Sequence, residues 1–192
     1  MESDSAATLE GQIPQNLEQE IKSSSYSNDL ELRLIDALRN VEEIFGPVCA
    51  YKEVERLLTD IEKPSDTDNK DLIEFLKLSL WELFPKLAAS FDENLDFPCS
   101  EVVDSAIGCL KRVLEIKDRS VREEAVDTAI DLADALLEDD SLAEALALAS
   151  MVLPAEEGFP DKIQRAADLL KKCAEERAPQ HPLPADSPLP RI

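Results

Sequence analysis

The chain has 192 residues, of which 44% are apolar, and its 42 acidic and 20 basic residues give a formal net charge of −22. This length and apolar content suffice for one domain with a sizeable core. The acidic excess argues against binding to nucleic acid, because such binding depends on lysine and arginine side chains that neutralise phosphates. A basic polypeptide segment or a metal cation fits the charge better.

The two ends of the chain differ in composition from its middle. Residues 1–27 are rich in Ser, Gln and Glu and poor in large apolar side chains, which predicts a disordered or weakly helical leader. Residues 178–192 contain five prolines and predict an extended, disordered tail. Neither a signal peptide nor an apolar run of the roughly 20 residues that span a membrane is recognisable. We therefore expect a cytoplasmic or nuclear protein without a membrane-spanning helix.

Apolar residues recur at helical spacing throughout residues 28–177, which predicts an all-helical domain. The first helix is predicted over 29–45, where a Gly-Pro pair ends the apolar stripe. The second is predicted over 47–62 and begins with a proline in the first turn, where the missing N–H does no harm.

The third predicted helix is the most apolar and should lie at the centre of the domain. It covers 72–84, and Pro85 should kink it so that 86–91 forms a bent continuation or a separate turn. Two of the later helices open with a serine followed three residues on by a glutamate, which is the pattern of a capping box. These later helices are predicted over 100–116, from Ser120, from Ser141 to Pro154, and over 161–176.

Short connectors between these helices place neighbouring helices antiparallel. A closed bundle and a short α-solenoid of stacked helical hairpins both satisfy this condition. The segment Val-Asp-Ser-Ala-Ile at 103–107 recurs as Val-Asp-Thr-Ala-Ile at 126–130. This self-similarity favours the solenoid, with about seven helices.

Two segments of the predicted solenoid have the pattern of a known helical repeat. Residues 118–125 consist of a turn followed by a Val-Arg-x-x-Ala segment at the start of a helix. Residues 83–87 place a proline inside an apolar helix. Both segments resemble parts of HEAT and armadillo repeats, and the resemblance covers about residues 70–140. It implies an extended surface that binds peptides or proteins in chaperone, transport-adaptor or scaffold roles, and it brings no catalytic residues.

Five carboxylates recur at helical spacing in the fifth predicted helix, and we call them the acidic stripe: Glu123, Asp127, Asp131, Asp134 and Glu138. At about 100° per residue they fall within about a quarter of the helix circumference. Like charges one turn apart cost a few tenths of a kcal/mol per pair, so the stripe favours a cationic partner. Alternatively, the stripe is a solvated face that keeps the protein soluble. With the neighbouring acidic residues, the predicted partner-binding residues are Glu123, Asp127, Asp131, Asp134, Glu138, Asp139, Asp140 and Glu144.

Residues suited to catalysis are scarce in this sequence. The single histidine, His181, lies in the proline-rich tail, and the four glycines form no phosphate-binding loop. The four cysteines lack a CxxC spacing, which is typical of small buried residues in a reducing compartment. The segment 66–77 resembles a calcium loop but has lysine at two ligand positions, Lys70 and Lys77. We therefore predict no enzymatic activity, no cofactor and no metal site.

Two functions stay open at this point. The first is a non-enzymatic adaptor or dedicated chaperone that binds a basic segment of a partner protein through its acidic helices. The second is a structural subunit of a larger assembly, held through apolar helix faces, in which the acidic surface serves only solubility. Ser65, three residues before Asp68, and Ser187, before Pro188, are candidate phosphorylation sites.

Overall fold

A computed structural model describes residues 11–23, 27–62, 69–91, 99–138, 141–152 and 160–177. These ranges contain eight helices and no strand, which confirms the all-helical prediction. In chain order, the helices are α1 (Gln15–Ser23), α2 (Asn28–Phe45), α3 (Pro47–Glu62), α4 (Lys70–Ser90), α5 (Cys99–Val113), α6 (Arg119–Glu138), α7 (Leu142–Val152) and α8 (Pro160–Arg177).

Most helix boundaries follow the signals in the sequence. Helix α3 has the predicted bounds. Helix α2 ends at Phe45, as predicted, and the next residue, Gly46, has a φ of 84° that would be strained for a residue with a side chain. Ser27 caps α2, because its hydroxyl accepts the Leu30 N–H at 3.2 Å. The N-cap of α6 is Asp118, two residues before the predicted cap Ser120: the Asp118 carboxylate accepts the Ser120 N–H at 2.8 Å, so Ser120 lies inside the first turn.

Helix α1 corrects the prediction of a disordered or weakly helical leader over residues 1–27, because it is packed into the body of the protein. Ile13, Leu17 and Ile21 recur every four residues and are buried in the core cluster that the longer helices form. The Ile13 N–H donates to the buried Glu53 carboxylate of α3 at 3.0 Å. The packed body of the protein therefore includes residues 11–23. Residues 1–10 and 24–26 of the predicted leader, and the whole predicted tail 178–192, lie outside the described residues.

The helices form a linear stack. Extensive contacts within the described ranges join only helices one or two places apart in the chain. Thus α4 packs on α3, α5 and α6, and α8 packs on α6 and α7. This succession is typical of helical hairpins that are stacked into a short solenoid, as the sequence predicted.

Helix α4 lies at the centre of the stack, as its composition predicted. Leu76, Leu80, Phe84 and Leu87 are fully buried, and Trp81 packs against the core with part of its side chain exposed. Pro85 lies on the exposed side and does not end the helix, which continues to Ser90. Among the helices described, none combines the length and hydropathy needed to cross a lipid bilayer.

Candidate protein-binding surface

The acidic stripe lies along one side of α6, with the apolar side of the same helix buried. This is the division that the helical spacing predicted. Asp131 has 70% of its side chain accessible, and Glu123 and Asp127 are each 46% exposed. The buried side consists of Val121, Ala125, Val126, Ala129, Ile130, Leu132, Ala133, Leu136 and Leu137.

Lys162 of α8 binds the N-terminal part of the acidic stripe. Its ammonium group contacts the Asp127 carboxylate and donates to the backbone carbonyl of Glu123 at 3.2 Å. The same nitrogen lies 3.4 Å from the Glu123 carboxylate. Only 15% of the Lys162 side chain is exposed, so solvent screens these interactions less than those of an ordinary surface ion pair.

Two further cations of α8 continue the pairing along the stripe. The Arg165 guanidinium donates to Asp131 at 2.7 Å, and this hydrogen bond raises the pKa of Arg165 above its usual value. The Lys172 ammonium donates to Asp134 at 3.3 Å. The order of pairs is the same along both helices, so α6 and α8 run parallel and contact each other directly, and α7 separates them only in the sequence.

Three of the five stripe carboxylates are therefore hydrogen-bonded to cations of the same chain. The cationic partner that the stripe favours is in part α8, a pairing that the spacing of the carboxylates alone does not indicate. A signal was present: Lys162, Arg165 and Lys172 share one side of α8 at about 100° per residue. This arrangement indicates pairing with the stripe only because α8 lies beside α6.

The C-terminal end of the stripe is not covered by these cations. Glu138 is exposed and makes no ion pair with any residue that the structure describes. Glu144 lies in the first turn of α7, where the helix dipole stabilises a negative charge. It too has no cationic partner in the described ranges. Asp139 and Asp140, which lie between them in the sequence, and the candidate phosphorylation sites Ser65 and Ser187 lie outside the described residues.

An apolar groove lies between α7 and α8, at the C-terminal end of the stack. Its volume is about 470 Å³. Leu142, Leu146 and Leu170 are only half-buried there, although each has the spacing of a core residue. The groove is lined by Leu142, Ala143, Leu146, Leu170, Cys173 and Ala174.

The Cys109 thiol occupies a buried, hydrogen-bonded position in α5. Burial raises the pKa of the Cys109 thiol, which donates to the Leu80 carbonyl at 3.0 Å. In the part of the chain that is described, no three His, Cys, Asp or Glu side chains are grouped so that they could hold a metal ion.

No protein-family model, curated protein or solved structure matches this chain. The resemblance to HEAT and armadillo repeats therefore stays a prediction from two short segments.

Proposed function

We propose that the protein is a non-enzymatic adaptor or dedicated chaperone that binds a basic segment of a partner protein on the acidic surface of α6 and α7. The observation that supports this most directly is the pairing of α6 with α8. Lys162, Arg165 and Lys172 are lysine and arginine side chains from a neighbouring helix, held by successive stripe carboxylates. A basic segment of a partner would make the same kind of contact.

The charge that remains after this internal pairing is still strongly negative. Residues 118–177 contain 16 acidic and 7 basic residues, and the stripe already uses three of those bases. A concentrated negative field attracts a cationic partner, speeds association and weakens as salt is added. Net charge alone serves solubility equally well, so the test must separate local recognition from global attraction.

The uncovered end of the stripe is the place where a partner can bind without displacing α8. Glu138 and Glu144 are unpaired among the described residues, and Asp139 and Asp140 connect them in the sequence. We assign the first contact with the basic segment to these four residues. The inner carboxylates, Asp127 to Asp134, also hold α8 in place.

A structural subunit is the second candidate function, and the apolar groove between α7 and α8 favours it. An assembly held through such a surface would resist salt, because burial of apolar area is the main driving force. Salt dependence therefore distinguishes the two candidates.

The experiment measures binding of a fluorescent lysine-rich peptide of about 20 residues to the full chain at low and high salt. The test variant is E138Q/D139N/D140N/E144Q. The matched control, D36N/E43Q/E82Q/D104N, removes the same charge from exposed positions on α2, α4 and α5.

We expect the test variant to bind about tenfold more weakly at low salt, because exposed ion pairs contribute about 0.2–1 kcal/mol each. The control should lose less than about twofold. Equal losses in the two variants would mean that only net charge attracts the peptide, and the proposal would then fail.

A further inference from the structure

From α5 onward, every helix of the stack covers the surface between the two helices that precede it. Helix α5 packs on both α3 and α4, α6 on α4 and α5, α7 on α5 and α6, and α8 on α6 and α7. The surface between α7 and α8 is the next in this series. In the described part of the chain no ninth helix covers it, and the apolar groove lies there.

The shape of the groove suits a helix. Leu142 and Leu146 lie one turn apart on α7, and Leu170 and Ala174 lie one turn apart on α8. The exposed small residues Ala143 and Ala174 allow a third backbone to approach closely. An amphipathic helix fills such a groove with side chains at positions i, i+3, i+4 and i+7.

We propose that this groove docks an amphipathic helix of a partner protein, which takes the place of a ninth helix and has lysine and arginine beside its apolar stripe, at the end nearest Glu138. The inference rests on the proposed function and names the form of the basic segment. The docked helix would bury its apolar stripe against Leu142, Leu146 and Leu170. Its basic residues would lie near the C-terminal end of α6, where Glu138 is unpaired among the described residues and lies four residues before Leu142 of the groove.

Two other occupants fit the sequence less well. Residues 178–192 follow α8 directly, but their five prolines are incompatible with a helix. A second copy of this chain would bring a further formal charge of −22 against the same acidic end. A basic helix of another protein has neither disadvantage.

The test uses the full chain and a fluorescent peptide of about 18 residues. In this peptide, Leu occupies positions i, i+3, i+4 and i+7 of each helical repeat, and Lys occupies the other positions. Two further peptides separate apolar from electrostatic binding. In the first, Glu replaces every Lys, and in the second, Ser replaces every Leu. The protein variants are Leu146→Asp, which makes the groove polar, and Ala174→Trp, which fills it from an exposed position.

The matched control variant is Leu32→Asp, because Leu32 is 63% exposed on α2, outside the groove. Circular dichroism and urea unfolding of each variant identify any that fail to fold, and Ala174→Trp provides the test if Leu146→Asp is one of them. We expect the Leu/Lys peptide to bind and each groove variant to weaken it by about tenfold or more. Leu32→Asp should change binding by less than about twofold, and the Glu and Ser peptides should bind at least about tenfold more weakly.

Undiminished binding to both groove variants would overturn the inference, as would equal binding of the Glu peptide. A dimer in solution that Leu146→Asp dissociates would also overturn it, because a second copy would then fill the groove. Failure of the proposed function is distinguishable. If E138Q/D139N/D140N/E144Q binds the Leu/Lys peptide normally while the groove variants do not, the groove is a docking site and the acidic surface is not.

Discussion

Replacing Glu53 with alanine should lower the free energy of unfolding by about 3 kcal/mol, because this carboxylate holds α1 onto α3 from a buried position. Only 3% of Glu53 is exposed. It accepts the Ile13 N–H at 3.0 Å and two hydrogen bonds from the Arg56 guanidinium, each at 2.8 Å. Arg56 also donates to Glu18 of α1 at 2.8 Å, so the two helices share one cation.

The magnitude follows from what the alanine leaves behind. A buried N–H without an acceptor costs about 1–3 kcal/mol, and here that donor is Ile13. Loss of the ion pair adds about 1 kcal/mol, since Arg56 is partly exposed and keeps Glu18 as a partner. Glu53→Gln keeps an acceptor for Ile13 and removes only the charge, so we expect a loss of about 1 kcal/mol.

Urea unfolding followed by circular dichroism measures these differences, and about 3 kcal/mol corresponds to a drop in Tm of about 6–12 °C for a chain of this size. The control is Glu101→Ala, which breaks the more exposed ion pair with Lys52 and should cost less than about 1 kcal/mol. Hydrogen exchange of residues 11–23 should be faster in Glu53→Ala than in the control. Equal losses for Glu53→Ala and Glu53→Gln would refute the role assigned to the Ile13 hydrogen bond.

Three further predictions concern the packing and titration of α1, α3 and α5. A Cβ at Gly108 would lie 2.1 Å from the Tyr51 hydroxyl oxygen, so Gly108→Ala should lower the unfolding free energy by about 1–3 kcal/mol, and most of this loss should disappear in Tyr51→Phe. Burial raises the pKa of Tyr51 to about 12; in a Tyr26→Phe variant, the phenolate absorbance should therefore appear near pH 12 in the folded protein and near pH 10 in urea. The neutral Tyr51 phenol contributes stability in full below pH 10, and this contribution is lost as the pH rises toward 12. Hydrogen bonds from Arg56 and Lys22 lower the pKa of Glu18 below 4.5, so Glu18→Gln should reduce the urea midpoint at neutral pH, and this difference should vanish as the pH falls through the folded pKa.

The helices themselves were largely predictable, because their signals are local. The bounds of α3 follow from a proline in its first turn and from the helical spacing of its apolar residues. The packing of α1 could not be predicted from its own residues, because Ile13, Leu17 and Ile21 gain stability only from an apolar surface that other helices provide. The predicted cap of α6 lies two residues after the observed one, since Asp118 and Ser120 are both good caps and the path of the preceding turn selects between them.

The candidate site was predictable only in part. The acidic stripe follows from spacing alone, but its pairing with Lys162, Arg165 and Lys172 depends on the parallel packing of α6 and α8. Similarly, Leu146 and Leu170 have the same sequence pattern as buried core residues. Their exposure results from their position at the end of the stack, which is a property of the whole fold.

The most direct test of the proposed docking is a map of where a basic amphipathic helix binds on the protein. The isotope-labelled full chain would be titrated with the Leu/Lys peptide, and the amide resonance shifts assigned along the sequence. If the peptide docks in the groove between α7 and α8, the amide resonance shifts should concentrate in α7, in α8 and at Glu138. The resonances of α2 and α3 should stay unchanged. Shifts spread evenly over all helices, or confined to α2 and α3, would contradict the proposed docking.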